Sequence, residues 1–148
     1  MKEKSKPRRN SGDSGSCKDR WLAHKSSRMT DIRTLWEAFC KGQEDVPDLG
    51  SIYDYGLSFD YVAPGAFSDQ LEGYWRWQLS WGGPSDELRF FSSRPTFKPY
   101  RVEYWFLDWG DGHGLPLRNH DLELLQEIWD WFSEGGATQD VYDKECNT

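Results

Sequence analysis

The sequence predicts a two-layer α+β domain in which helices near the two chain ends pack on one face of a four-stranded antiparallel meander. Three observations support this prediction. Apolar residues recur at helical spacing near both ends, they alternate at strand spacing between residues 55 and 109, and turns rich in Gly and Pro separate the strands. Helices that are segregated from a meander pack together on one face of it, so the expected order is α-β-β-β-β-α.

The first helix is predicted over residues 30–41, where one apolar stripe is formed by Ile32, Leu35, Trp36 and Phe39. These positions follow the i, i+3, i+4, i+7 spacing of a single helix face. Thr30 or Asp31 can accept hydrogen bonds from the free N–H groups of the first turn, and Gly42 suits the end of the helix. The pattern therefore supplies both boundaries of this helix.

The second helix is predicted over residues 119–132, with an apolar stripe formed by Leu122, Leu125, Ile128, Trp129 and Phe132. Asn119 can cap this helix, and Asp121 favours its first turn because the N-terminal end of a helix is electropositive. Gly135 and Gly136 end the helix. A last helical turn is expected within residues 138–145.

Four strands are predicted between the helices, over residues 55–61, 73–81, 87–92 and 100–109. In the second strand one face consists of Trp75, Trp77, Leu79 and Trp81, and its simplest role is the core beneath the helices. The fourth strand is aromatic on both faces, because Trp105 points away from Tyr104 and Phe106. Short strands that are joined by turns favour a meander over a parallel sheet.

The charge divides the chain into a basic arm and an acidic body. Residues 1–33 carry ten Lys or Arg against four Asp or Glu, whereas residues 34–148 carry eight against twenty-one. Residues 1–28 are predicted to be a disordered arm that contacts nucleic acid, folds back on the body or stays unstructured, and residues 29–148 one acidic domain. That body is repelled by nucleic acid and by anionic membranes, and it attracts basic proteins.

Sequence motifs for cofactors and metals are missing. The three cysteines are odd in number and have no CxxC spacing, so neither a disulfide framework nor a zinc site is expected. A P-loop, a GxGxxG turn and a nucleophile elbow do not occur, and no cofactor is predicted. DWGDGHG fails as a calcium loop, because Gly110 and Gly112 stand at ligand positions. Without a signal peptide or a long apolar run, the expected location is the cytoplasm.

The catalytic candidates are side chains at the ends of the second and fourth strands. They are Asp86, Glu87, Asp108 and Asp111, with Glu103 nearby and His113 as a base. If the carboxylates lie on one rim of the meander, two of them can act as acid and base or hold a divalent cation. The simpler interpretation is that they are turn residues and solvated charge, and we favour it because Asp in a Gly-rich turn caps local N–H groups.

The second face of the fourth strand is the most suggestive feature, because two helices on the opposite face leave it uncovered. It predicts a dimer interface, an aromatic binding patch with an acidic rim, or a partly buried extension of the core. The predicted binding residues on this strand are Glu103, Trp105 and Leu107. Trp131 lies off the apolar stripe of the last helix and is assigned to the same patch.

Three segments carry a resemblance to a known group of proteins. YWRWQLSWGGPSDELRFF and RVEYWFLDWGDG, followed by QDVYDK, resemble uncharacterised small acidic proteins that are encoded on bacterial plasmids and other mobile elements. The resemblance covers about residues 70–145 and leaves the basic arm outside. It implies a bacterial accessory role and brings no activity and no catalytic residues.

The leading functional hypothesis is a non-enzymatic interaction protein whose acidic, aromatic surface engages a basic partner protein. Two forms are open: a DNA-mimicking inhibitor of a nucleic-acid-binding enzyme, and an immunity-type inhibitor of a toxin. One alternative is a small metal-dependent or carboxylate-based hydrolase, which requires the candidate carboxylates to converge in one pocket. Another is a structural homodimer of a mobile-element accessory protein, which buries the second aromatic face.

Overall fold

The computed structural model describes residues 15–147 and confirms the predicted α+β class. In chain order the elements are α1 (Cys17–Cys40), β1 (Ser58–Val62), β2 (Tyr74–Ser80), β3 (Pro84–Phe91), β4 (Arg101–Asp108), β5 (Asp111–Pro116), α2 (Asn119–Glu134) and α3 (Ala137–Cys146). The strands form one antiparallel sheet in the order β1-β2-β3-β4-β5. Residues 1–14 of the predicted disordered arm lie outside the described residues.

A fifth strand, β5, lies in the stretch between the predicted fourth strand and the second helix, where the sequence predicts no strand. Gly and Pro are depleted in sheets, so the composition of β5 argued against a strand. The hairpin of β4 and β5 nevertheless forms a complete ladder, in which Gly114 lies opposite Trp105. The Trp105 ring fills the space beside this glycine, where an added Cβ atom would lie 2.0 Å from a ring carbon. The four-stranded prediction is therefore wrong by one edge strand.

Helix α1 begins at Cys17 and not at the predicted residue 30, so the segment from 17 to 28 belongs to the folded domain and not to the arm. A capping box fixes this start: the Ser16 hydroxyl accepts a hydrogen bond from the Asp19 N–H at 3.2 Å, and the Asp19 carboxylate accepts one from the Ser16 N–H at 3.4 Å. Two of the four free N–H groups at this end are thereby satisfied.

The basic side of α1 pairs with acidic side chains of the body. The pairs are Arg20 with Asp108 at 2.6 Å, Lys25 with Asp121 at 3.2 Å, and Arg28 with Asp86 at 2.7 Å. Of the three expectations for the basic residues, folding back on the body is the one observed for this segment. Residues 15–147 carry thirteen basic and twenty-three acidic residues, so the described domain has a net charge of −10, whereas residues 34–148 alone carry −13.

The core lies between the helices and one face of the sheet, here called the inner face. Trp75 of β2 packs edge-on against Trp129 of α2, with 5.1 Å between the ring centroids. Trp81 was predicted on the same face and is instead 74% exposed. A β-bulge between Gln78 and Ser80 shifts the register there, and β2 ends at Ser80, so Trp81 leaves the sheet.

Helix α2 confirms most of its predicted pattern. Leu125, Ile128 and Trp129 are fully buried, and the helix ends at Gly135. Asn119 does not cap it: this residue is the first of the helix with a φ of 55°, and the preceding residue, which stands at the cap position, makes no side-chain cap hydrogen bond. Among residues 15–147, no helix has both the length and the apolar character that crossing a bilayer requires.

Candidate functional site

Asp86, one of the two buried carboxylates among the candidates, is a structural group on the inner face. Its oxygens accept hydrogen bonds from Arg28 at 2.7 and 3.0 Å, from the Tyr104 hydroxyl at 2.5 Å and from the Ser80 hydroxyl at 2.5 Å. Burial would raise the pKa of Asp86, but these hydrogen bonds and the Arg28 charge outweigh burial and hold the pKa below its usual value. A carboxylate that accepts hydrogen bonds from four donors has a structural role.

The other predicted catalytic carboxylates do not join Asp86. Glu87 follows it on β3, so its side chain points to the opposite face of the sheet. Asp108 accepts from Arg20 at 2.6 Å, and Asp111 accepts from the Cys17 N–H at 2.8 Å, at the start of α1. Asp86 and Glu87 were expected in a turn and lie within a strand instead.

The remaining candidate base, His113, packs edge-on against the Trp21 ring, with 6.1 Å between the ring centroids. Within residues 15–147, no group of three or more His, Cys, Asp and Glu side chains is arranged to hold a metal ion. Within this part of the chain the candidate carboxylates do not all converge in one pocket. Asp86 lies on the inner face, Glu87 and Glu103 line one groove on the opposite face, and Asp108 and Asp111 line another beside the β4–β5 turn.

Three of the four predicted binding residues lie together on the uncovered face of the sheet, here called the outer face. Glu103, Trp105 and Leu107 project from β4 into a groove of about 710 Å³, which we call the outer groove. Its floor is formed by outward side chains of β2, β3 and β4. Residues 67–72 of the β1–β2 connection form one wall, and Trp81 stands at the rim.

Trp105 is held in place from several sides in the outer groove. Its indole N–H donates to Glu103 at 2.8 Å, and the Arg89 guanidinium lies over its ring at 4.1 Å. The ring also covers Gly114 of β5, as described above. The floor of the outer groove is thus a fixed arrangement of aromatic rings and charged groups. The predicted acidic rim is incomplete, because three arginines line the groove with four acidic residues.

Gly114→Ala is expected to displace the Trp105 ring and to lower the free energy of unfolding by about 1–3 kcal/mol, because an added methyl group overlaps the ring. Gly112→Ala on the same strand is the control, since the nearest atom to its Cβ is the terminal Cδ2 of Leu107 at 3.1 Å, which can rotate away. Urea unfolding and the NMR resonance of the Trp105 indole N–H measure both effects. Equal losses in the two variants would contradict the close packing of Trp105 on β5.

Trp131 lies elsewhere, in the helical layer, so its assignment to the Trp105 patch is wrong. Its ring packs against Trp36 at 5.5 Å, Phe39 at 4.9 Å and Tyr53 at 5.2 Å between centroids. Tyr53 is 61% exposed. An apolar groove of about 430 Å³ adjoins this cluster and is lined by Tyr53, Leu57, Trp131 and Phe132, among others. We call the cluster and this groove the acidic aromatic surface, for the charge described next.

The charge of the domain is concentrated in the two segments that build the acidic aromatic surface. Residues 34–57 and 119–147 together carry thirteen acidic and two basic residues, a net of −11 in a described domain of −10. At the cluster itself, Glu127 accepts a hydrogen bond from the Trp36 indole at 3.0 Å. The sequence shows that both segments are acidic, but only the fold shows that they meet at an aromatic cluster with the exposed Tyr53 ring at its surface.

The chain matches no family model, no curated protein and no solved structure. The two surfaces themselves therefore indicate function. The outer groove combines arginines, carboxylates and aromatic rings in near balance, whereas the acidic aromatic surface carries the exposed Tyr53 ring and belongs to the two segments that hold the acidic excess of the domain.

Proposed function

We propose that the protein is a non-enzymatic interaction protein whose acidic aromatic surface binds a basic partner protein. The observation that carries this proposal is that the partly exposed aromatic cluster and its adjoining apolar groove belong to the two segments that carry the acidic excess of the domain. Protein interfaces combine aromatic anchors at their centre with a polar rim, and charge complementarity across the rim selects the partner and speeds association.

The shape of this surface fits a partner segment that carries both apolar and basic side chains. Tyr53 and Leu57 are 61% and 63% exposed and line the apolar groove together with Trp131. Apolar side chains of the partner enter this groove, while its Lys and Arg side chains face the surrounding carboxylates. Burial of exposed rings supplies the affinity, and the charges supply selectivity.

The proposal keeps two forms of partner, a nucleic-acid-binding enzyme that the protein inhibits by mimicking DNA, and a toxin that it neutralises. Duplex DNA competes for the partner in the first form, because both occupy the same basic surface. In the second form DNA has no effect. The proposed setting is the cytoplasm of a bacterium, in an accessory role of the kind that the sequence resemblance implies.

A photoreactive phenylalanine analogue at position 53 tests the proposal in cells that carry the gene. We expect covalent capture of a basic protein from position 53 and none from position 100, where Tyr100 is similarly exposed at 56% but lies outside the acidic aromatic surface. Addition of salt should weaken the capture, because screening shortens the reach of the charges to about 8 Å at physiological ionic strength. Capture from position 100 alone, or capture of acidic proteins only, would overturn the proposal.

Charge reversal on α2 provides a second test once the captured partner is purified. Glu134→Lys, one turn beyond Trp131, is expected to lower the association rate about fivefold at low salt, because it replaces an attractive charge at the contact with a repulsive one. Glu123→Lys changes the net charge equally at the opposite end of the same helix and is expected to have little effect. Equal effects would show that net charge alone, and not this surface, drives association.

A further inference from the structure

We propose that the outer groove is a separate binding site for a small aromatic ligand with one anionic group, which Arg76 and Arg89 hold through a carboxylate or phosphoryl oxygen. This site lies on the face of the sheet opposite the helices. It is therefore independent of the acidic aromatic surface and of the partner protein proposed above.

The first observation is a pair of like charges at the centre of the groove floor. Arg76 of β2 and Arg89 of β3 are direct cross-strand partners. Like charges in this arrangement destabilise a sheet, and both are lining residues of the outer groove. Asp60 and Glu103 flank the pair on the neighbouring strands, so one row of the sheet reads Asp60, Arg76, Arg89, Glu103.

The carboxylates around this pair leave some of its donors unused. Arg76 donates from Nε and Nη2 to Asp60, at 3.0 and 2.7 Å, and Arg89 donates from Nε to Glu87 at 2.7 Å. Within residues 15–147, Nη1 of Arg76 and both terminal nitrogens of Arg89 make no hydrogen bond. An anion that accepts from these nitrogens would also offset the repulsion between the two guanidinium groups.

The second observation is an unpartnered tyrosine hydroxyl at the same place. Tyr74 lines the outer groove and is 2% exposed, and its Oη atom has no hydrogen-bond partner among residues 15–147. The charges that act on this hydroxyl include those of Arg89 and Arg76. Burial raises the pKa of Tyr74, so the hydroxyl keeps its proton and can donate it. A buried polar atom without a partner destabilises the fold by about 1–3 kcal/mol, and a hydrogen bond to a ligand oxygen would remove this cost.

Arg89 is oriented for a ligand before one arrives. Its guanidinium lies between two rings, 4.8 Å from the centroid of Tyr74 and 4.1 Å from that of Trp105. Its Nε atom is anchored by Glu87, whose side chain is only 4% exposed. A guanidinium that is already stacked and anchored loses less entropy when its terminal nitrogens bind a carboxylate or a phosphate.

The walls of the groove indicate an apolar body for the ligand. Phe67, Leu71 and Trp81 line it and are 55%, 90% and 74% exposed. The volume of about 710 Å³ lies within the range of small-molecule sites, roughly 300–1,000 Å³. Glu87 and Glu103 also face the groove and repel additional negative charge, so a single anionic group fits and a polyanion does not.

NMR titration of the full-length chain with 2-naphthoate, 2-naphthyl phosphate, inorganic phosphate and the neutral 2-naphthol tests the site. We expect shifts of the Arg89 Nε–H and Trp105 indole N–H resonances with the aromatic anions, which should bind about tenfold more tightly than 2-naphthol because they engage the guanidinium pair. The naphthoate and phosphate arms distinguish a carboxylate from a phosphoryl ligand. No shift with either aromatic anion at about 10 mM, a concentration that exceeds even weak dissociation constants, would overturn the proposal.

Variants separate binding from folding. Arg89→Gln and Arg76→Gln are each expected to lower the affinity for the two aromatic anions about tenfold, without a comparable effect on the affinity for 2-naphthol. Arg94→Gln is the control, because Arg94 is an exposed arginine that lies against Phe97 outside the groove. Tyr74→Phe is expected to lower the affinity for the aromatic anions. Its Tm should be unchanged or higher, because the substitution removes a buried unpartnered hydroxyl. A lower Tm with unchanged binding would show that the hydroxyl is only structural.

Light scattering adds a further check on the same sample. The proposal expects an outer groove that is open in solution. A dimer whose interface shields the Trp105 indole and excludes both aromatic anions would show that the groove is covered by a second copy of the chain, and would overturn the ligand site.

Discussion

A chain that lacks residues 1–28 is expected not to fold, although this deletion removes only the segment that sequence composition assigns to a disordered arm. The deletion takes away Trp21, which is 7% exposed and whose indole donates to the Tyr104 carbonyl at 2.8 Å. It also takes away Arg20 and Arg28, the partners of Asp108 and of a carboxylate in the core. Losing a buried Trp costs about 3–5 kcal/mol, and unpairing a buried carboxylate costs about as much.

The sum of these losses reaches the whole stability of an ordinary domain, which is roughly 5–15 kcal/mol. Deletion of residues 1–14 is the matched control, because it keeps α1 from its capping box onward. Near-ultraviolet circular dichroism and thermal unfolding separate the two deletions. We expect a cooperative transition for the shorter deletion and none for the longer one. A native-like transition in a chain that starts at residue 29 would contradict the role of α1.

Asp86→Asn is expected to lower the free energy of unfolding by about 3 kcal/mol, because it leaves the Arg28 guanidinium facing a neutral amide in a nearly closed site. The Asp86 side chain is 4% exposed, and the amide cannot accept all four of the hydrogen bonds that the carboxylate accepts. Asp60→Asn is the control, since Asp60 also pairs with an arginine but has a side chain that is 45% exposed. We expect a loss of less than about 1 kcal/mol there.

The same carboxylate gives the stability a defined pH dependence. The pKa of Asp86 is lower in the folded protein than in the unfolded chain, so its contribution is complete above the unfolded pKa of about 3.9. This contribution is lost as the pH falls through the folded pKa. Urea unfolding between pH 7 and pH 3 should therefore show a stability gap between wild type and Asp86→Asn that narrows at acid pH. A gap of constant size would show that the variant acts through packing and not through charge.

The fold was predictable where apolar periodicity was unbroken, as in α2 and in the three central strands. It was not predictable in the first half of α1, because arginines take the positions in the apolar stripe from which they reach buried carboxylates. One local signal was present and was missed: Ser16 and Asp19 have the spacing of a capping box. Strand β5 was hidden for a different reason, since the close approach of Trp105 requires a glycine that weakens strand propensity.

The candidate site was likewise only partly predictable from the sequence. Alternation along β4 correctly placed Glu103, Trp105 and Leu107 on the uncovered face, because the side-chain period of a strand is local. It did not show that arginines from β2 and β3 would enter the same groove, since this depends on strand order and register. Trp131 was assigned to the wrong surface because the sequence does not show which elements pack against this part of α2. Only packing shows which aromatic cluster a helix residue joins.

The pairing of α1 with side chains far along the chain also determines when this helix can pack on the domain during synthesis on the ribosome. Arg28, Arg20 and Lys25 leave the ribosome first, and their acidic partners follow 58, 88 and 96 residues later. At roughly 5–20 residues per second, this leaves α1 without acceptors for several seconds. During that interval it is a cationic segment with an exposed Trp21, open to capture by a chaperone or by ribosomal RNA. Docking of the first helix therefore waits until β3, β4 and the first turn of α2 have been made.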